Sequence, residues 1–126
     1  MKQRVLIVDD NKLVADTLTR IFQINGFESE ASYSAAEGLI RARSFDPELV
    51  LCDVTMPDES GLQLVEKLHY EVPNAKMLML TAYSSNAARV EAQSMRLGRP
   101  LPMLNKPCRP EELLRTAAEI LQSRVA

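Results

Sequence analysis

Short, strongly apolar runs recur along the chain and predict β-strands. The stretch Arg4–Val8 is apolar after its first residue and rich in β-branched side chains, as in a strand that is buried on both faces. Glu48–Cys52 is also interpreted as a buried strand and Lys76–Leu80 as a strand, whereas Phe27–Ser32 predicts a more exposed strand and Pro102–Asn105 a short one. The pattern therefore predicts five strands.

The segments between these runs show helical periodicity. Between Asn11 and Asn25, apolar side chains recur every three or four residues until Gly26 stops the pattern. The other predicted helices are Ser34–Ser44, Ser60–Tyr70, Ser85–Met95 and Pro110–Ser123. Strands that alternate with helices predict an α/β fold, a doubly wound five-stranded parallel sheet with right-handed crossovers.

The composition fits one domain that spans residues 1–126. The chain is 46% hydrophobic and 25% charged, and its length suits a single core. A formal net charge of -2 offers no basic surface to DNA or RNA, so we expect no direct binding of nucleic acid. The apolar run after Met1–Arg4 holds only four residues, too few for a secretion signal or a membrane span. We therefore expect a cytoplasmic location without membrane association. We interpret Cys52 and Cys108 as reduced thiols, with Cys52 in the core.

Polar residues suited to phosphate chemistry stand at the C-terminal ends of four apolar runs. Asp9 and Asp10 follow the first strand, and Asp53, Thr81 and Lys106 follow later ones. Ligand sites in open parallel sheets form at the carboxyl ends of the strands, so these side chains should converge. Carboxylates suit a hard cation such as Mg²⁺, while a hydroxyl and an ammonium suit a phosphoryl group.

Each of these residues, taken alone, also fits a structural interpretation. Asp9 and Asp10 could cap the helix that follows them, and Asp53 could be a turn residue at a strand end. Thr81 could be a β-branched strand residue and Lys106 a solvated charge. The complete set, in this order, favours the functional interpretation. The single histidine, His69, lies near a predicted helix end and is interpreted as a surface residue.

These motifs together resemble those of the response regulator receiver domain of two-component signalling. They are Asp9-Asp10, Asp53-Val54-Thr55-Met56-Pro57, Leu80-Thr81-Ala82 and Lys106-Pro107. The similarity runs from about Arg4 to Leu121 and implies a flavodoxin-like fold of five strand–helix units. It implies a phosphorelay switch in which Asp53 accepts a phosphoryl group from a phosphohistidine. The donor would be a sensor histidine kinase or a phosphotransfer protein.

The resemblance also implies Mg²⁺ as the cofactor. Asp10 and Asp53 would bind the ion directly, Asp9 would act through water, and the backbone carbonyl of Thr55 would be a further ligand. Such a domain catalyses its own phosphorylation and dephosphorylation, and it is not a conventional turnover enzyme. An unidentified output protein, and a homodimer as an option, complete the implied partners.

Further roles follow from the same resemblance, together with the departure from the family that concerns the switch residue. Thr81 and Lys106 would contact the phosphoryl group, and the Lys106–Pro107 peptide bond would be cis. Tyr83 would flank the route of the water that attacks the acyl phosphate. Where the family carries a Tyr or Phe that reports phosphorylation, this chain has Met103, which is flexible and has no hydroxyl.

Two other functions compete with the signalling switch. A phosphohydrolase of the haloacid-dehalogenase type also uses an aspartate nucleophile, but its first strand should end in Asp-x-Asp, and this chain has Asp9-Asp10-Asn11 there. An interaction module that is never phosphorylated could keep the same fold. Such modules usually lose the acids or the lysine, and this chain retains all of them.

Overall fold

The computed structural model describes residues 1–123, so the last three residues of the predicted 1–126 domain lie outside the described residues. The strands are β1 (Arg4–Val8), β2 (Glu28–Ser32), β3 (Leu49–Asp53), β4 (Lys76–Thr81) and β5 (Met103–Asn105). The helices are α1 (Lys12–Ile24), α2 (Ala35–Phe45), α3 (Gly61–Glu71), α4 (Ala87–Leu97) and α5 (Pro110–Gln122). Strands and helices alternate as the periodicity predicted.

The strands form one parallel sheet in the order β2-β1-β3-β4-β5. This confirms the predicted doubly wound, flavodoxin-like fold. The strand order reverses at β1 and β3, which pair in register from Val5 with Leu49 to Val8 with Cys52. The residues that end or follow these two central strands therefore lie side by side at the carboxyl edge of the sheet, where ligand sites of such folds form.

Apolar side chains fill both faces of the sheet. Alternate strand residues point to opposite faces, so Leu6 and Val50 belong to one buried cluster and Ile7 and Leu51 to the other. The first cluster packs under α2, α3 and α4, and the second packs under α1 and α5. Cys52 is fully buried in the first cluster, as predicted. Within residues 1–123, no helix has the length and apolar character needed to cross a bilayer.

Most element boundaries shift by only one or two residues from the predictions. The strand β3 extends to Asp53 and β4 to Thr81, so both polar residues still belong to the ladder. A 3₁₀ turn at Ser84–Asn86 precedes α4, which therefore begins later than its periodicity indicated. His69 is partly buried rather than fully at the surface, because its ring meets Tyr70 at a centroid distance of 4.9 Å and it also contacts Arg99.

Candidate functional site

Three acids lie together at the carboxyl ends of β1 and β3. One oxygen from each of Asp9, Asp10 and Asp53 lies within 4.8 Å of the others. Asp9 is 1% exposed and Asp53 is 8% exposed, whereas Asp10 is open to solvent. The cluster is therefore a pocket of carboxylates with one accessible side.

The helix α1 is capped by Asn11 and not by the two aspartates. The Asn11 side-chain oxygen accepts the Val14 N–H at 3.2 Å, and Asp9 Oδ1 accepts the Asn11 N–H at 2.9 Å. Asp9 thus orients the cap residue while its second oxygen faces the cluster. The capping interpretation of Asp9 and Asp10 does not hold, because Asn11 already satisfies the helix end.

Lys106 reaches into this cluster from just beyond β5. Its Nζ donates hydrogen bonds to Asp9 Oδ2 and, at 3.3 Å, to Asp53 Oδ2. Its backbone N–H donates to the Thr81 carbonyl at 2.7 Å, and the peptide bond to Pro107 is cis. Burial acts to lower the pKa of Lys106, but the hydrogen bonds and negative charges of the two aspartates outweigh burial and raise it. The ammonium therefore stays charged at neutral pH.

Both oxygens of the Asp53 carboxylate accept hydrogen bonds. Oδ2 accepts from Lys106, and Oδ1 accepts the backbone N–H of Thr55 at 3.2 Å. Burial raises the pKa of Asp53, and the charge of Asp9 adds to the rise, while Lys106 and the Thr55 N–H oppose it. The net rise shows that like charge and desolvation are not fully compensated within the protein.

The charges and donor atoms of this pocket fit a divalent cation. Three carboxylates and one ammonium leave two negative charges unbalanced among the four groups. All of the candidate ligands are oxygens, the donor type that Mg²⁺ prefers. The structure places Asp9, Asp10 and Asp53 together, with the exposed residue Thr55 next along the same loop.

Thr81 ends β4 beside this pocket, but its hydroxyl is bonded to its own loop. Oγ1 donates to the Tyr83 carbonyl at 3.1 Å and accepts the Tyr83 N–H at 3.0 Å. It also accepts from Asn86 Nδ2 at 2.8 Å. Asn86 was not among the residues expected at this site from the sequence. The available signal was an amide side chain next to the start of a predicted helix, which normally suggests only a cap.

The remaining predicted residues lie around this centre rather than in it. Tyr83 is 61% exposed and follows the Thr81 hydroxyl in the loop after β4. Met103, at the start of β5, is partly buried and packs against the first core cluster. Neither side chain is among the hydrogen-bonded groups of the carboxylate pocket in the described part of the chain.

Comparison with known proteins identifies the family. The sequence model of the response regulator receiver domain matches residues 5–118. This chain belongs to the response regulator receiver family. It is thus a receiver domain of phosphorelay signalling, and the phosphohydrolase alternative is not favoured. Receiver domains act in signalling rather than as conventional enzymes, and they generally use Mg²⁺ at an acidic pocket.

Relatives of this receiver domain include longer regulators and isolated domains. The acid tolerance regulatory protein ActR of Rhizobium meliloti is 33% identical over 110 residues, which cover 87% of this chain and 55% of that protein. The response regulator MprA of Mycobacterium tuberculosis H37Rv is 32% identical over 122 residues, 97% of this chain and 52% of that protein. This chain thus spans about half the length of these regulators.

Solved structures resemble the receiver domain along most of its length. A CheY-like receiver domain from Methanospirillum hungatei has a TM-score of 0.87 and 32% identity, covering 96% of this chain and 94% of that one. The chemotaxis protein CheY4 of Vibrio cholerae has a TM-score of 0.86 and 25% identity, covering 95% of this chain and 99% of that one. Both similarities agree with the order of strands and helices described above.

Proposed function

We propose that Asp53 is the phosphoacceptor of this receiver domain. Its carboxylate would attack the phosphorus of a phosphohistidine that carries a proton on its other ring nitrogen, forming an acyl phosphate as the P–N bond breaks and the neutral imidazole leaves. The observation that carries this proposal is the position of Asp53, which lies beside Asp9 and Asp10 and accepts a hydrogen bond from Lys106. The domain would catalyse this transfer, and the later hydrolysis, on itself.

The surrounding groups supply the charge neutralisation that phosphoryl transfer requires. Asp9, Asp10 and Asp53 would hold Mg²⁺ together with the carbonyl of Thr55, in keeping with the two unbalanced charges of the pocket. The ion would neutralise phosphoryl oxygens and offset their repulsion from the carboxylates. Lys106 would contribute a second positive charge.

Thr81 would donate its hydroxyl to the phosphoryl group after transfer. The residue is 1% exposed and lies at the end of β4, next to the strand that carries Asp53. Its hydroxyl would first have to leave the loop contacts described above. This rearrangement is the event by which the chemistry at Asp53 would alter the neighbouring surface.

The partners follow from the same chemistry. The phosphodonor would be a histidine kinase or a phosphotransfer protein in the cytoplasm, and the output would be another protein or domain, with a homodimer as one form. Because the chain covers only about half of the matched regulators, the output of the whole protein is part of this proposal.

Phosphorylation by a small donor tests the assignment directly. With labelled acetyl phosphate and Mg²⁺, the wild type should gain one labile phosphoryl group, and EDTA should prevent it. Asp53→Ala should abolish the label. Asp58→Asn, which changes an acid on the same loop outside the pocket, should retain it. Label that persists in Asp53→Ala would contradict the assignment, and an unlabelled wild type would favour the non-phosphorylated interaction module.

A further inference from the structure

The hydrogen bonds of the Thr81 hydroxyl are all used before any phosphoryl group arrives. A hydroxyl donates one hydrogen bond and has two acceptor positions. Here the proton goes to the Tyr83 carbonyl, and the acceptor positions take the Tyr83 N–H and Asn86 Nδ2. The hydroxyl therefore cannot donate to a group on Asp53 until its bond to the Tyr83 carbonyl breaks.

Asn86 provides the only side chain among these described partners, and it is buried, with 7% exposure. Its Oδ1 accepts from Arg89 Nη1 at 3.2 Å, so the amide joins Thr81 to the first turn of α4. A guanidinium can only donate, which fixes Oδ1 towards Arg89 and Nδ2 towards Thr81. The orientation of the amide is thus set by its two neighbours.

The usual role of an asparagine at this place does not account for Asn86. It occupies the N-cap position of α4, yet within residues 1–123 its side chain makes no capping hydrogen bond to the helix backbone. The amide donor is directed instead to the Thr81 hydroxyl at 2.8 Å. Its position therefore serves the threonine and not the helix end.

We propose that Asn86 is a positioning residue that holds the Thr81 hydroxyl towards its loop and transmits its release to α4 through Arg89. The inference rests on the proposed role of Thr81 in contacting the phosphoryl group. When the hydroxyl leaves, the buried amide of Asn86 loses its acceptor, and a buried donor without a partner is unfavourable. Asn86 must then shift together with Arg89, and the first turn of α4 moves with them.

This arrangement gives the domain a polar route from the phosphorylation site to α4. The route consists of two side-chain hydrogen bonds, from Asn86 to Thr81 and from Arg89 to Asn86. Together they join the end of β4, the 3₁₀ turn and α4. The route does not need an aromatic ring at position 103, where this chain has methionine. The response of α4 is then governed by how strongly the loop holds the hydroxyl.

The test measures binding of beryllofluoride, an acyl-phosphate mimic, in the presence of Mg²⁺ by amide NMR. Asn86→Ala should bind beryllofluoride roughly five- to tenfold more tightly than the wild type. The reason is that the variant lacks the buried hydrogen bond to Thr81, which stabilises only the free state. Amide signals from Ala87 to Val90 in the free variant should also move towards their bound positions. A purely structural role for Asn86 would weaken binding instead.

Control variants make the inference specific to the threonine. In a Thr81→Val background, Asn86→Ala should change the affinity no further, because the hydroxyl is already absent. Glu91→Ala, on an exposed part of the same helix, should leave the affinity unchanged. If thermal unfolding shows that Asn86→Ala does not fold, Arg89→Ala should tighten binding by a smaller factor.

The outcomes separate this inference from the proposed function. A wild type that binds no beryllofluoride would contradict the phosphoryl site itself, and the inference with it. With normal binding by the wild type, an unchanged or weaker affinity in a folded Asn86→Ala variant overturns the inference alone. An equal gain in the Thr81→Val background would overturn it as well, because the effect would not pass through the hydroxyl.

Discussion

The contact between Gly61 and β3, the strand that carries Asp53, leads to the sharpest stability prediction. Gly61 is the first residue of α3, and its N–H donates to the Val54 carbonyl at 2.8 Å. A Cβ on Gly61 would lie 1.9 Å from the carbonyl oxygen of Asp53 and 2.9 Å from Sγ of Cys52. Gly61→Ala therefore forces the helix start away from the strand that carries Asp53.

The size of the effect follows from which atoms must move. To reach a normal contact distance, the added Cβ and the Asp53 carbonyl oxygen would have to move apart by over 1 Å. This oxygen belongs to the backbone and cannot rotate away. Overpacking of this kind costs about 1–3 kcal/mol, and loss of the hydrogen bond to Val54 adds about 1 kcal/mol. We expect Gly61→Ala to lower the free energy of unfolding by about 2–4 kcal/mol.

Gly38 offers a matched control within α2. A Cβ there would meet the side chain of Val8, at 2.9 Å from Cγ2 and 3.0 Å from Cγ1, so the atoms that must give way belong to a side chain and not to the backbone. The helix propensity of alanine favours Gly38→Ala by up to about 1 kcal/mol, so its net change should lie within about 1 kcal/mol of zero.

Urea unfolding of the wild type and both glycine variants measures these differences as shifts of the midpoint at constant slope. The rate of labelling by acetyl phosphate, measured where Gly61→Ala is still folded, should also fall because Asp53 is displaced. If Gly61→Ala stays within about 1 kcal/mol of both the wild type and Gly38→Ala, the close approach is not a constraint and the reasoning is refuted.

Three further predictions concern the loops and the switch. Asp58 accepts hydrogen bonds from the backbone N–H groups of Ala35 at 3.2 Å and Ala36 at 3.0 Å, at the start of α2. Slight burial acts to raise the pKa of Asp58, but the backbone hydrogen bonds outweigh burial and lower this pKa. A carboxyl group whose pKa is lower in the folded state than in the unfolded state stabilises the fold fully at a pH above the unfolded-state pKa. This stabilisation is lost as the pH falls through the folded-state pKa. Asp58→Asn should therefore destabilise the protein by about 0.3–1 kcal/mol at pH 7, because the negative charge at the helix start is lost, and by much less once the pH lies below the folded-state pKa; a pH-independent difference in urea unfolding would contradict this. We expect the ring of Tyr83, 61% exposed, to shield the acyl phosphate from water, so Tyr83→Ala should shorten the half-life of the acyl phosphate severalfold. An unchanged rate of phosphate release would show that the ring does not shield it. Met103, half-buried against the core, should show exchange broadening in NMR before phosphorylation, and Met103→Tyr should reduce it; a sharp wild-type signal would place the switch elsewhere.

The sequence by itself determined the fold class and the candidate site. Apolar runs and helical spacing are local properties, so they predicted every strand and helix to within a few residues. Parallel strands then bring their carboxyl ends to one edge regardless of the details of packing. For this reason the placement of Asp9, Asp10, Asp53 and Lys106 could be anticipated from residues far apart in the chain.

The tertiary structure decided which way the polar groups face. The sequence placed Thr81 at the site, but only the packed loop shows its hydroxyl bonded to Tyr83 and Asn86. The contact of Gly61 with the Asp53 carbonyl and the bonds from Asp58 to the start of α2 likewise join segments that no periodicity relates. Hydrogen-bond direction and steric contact depend on distances of a few tenths of an ångström, and these are fixed only when separate elements pack against each other.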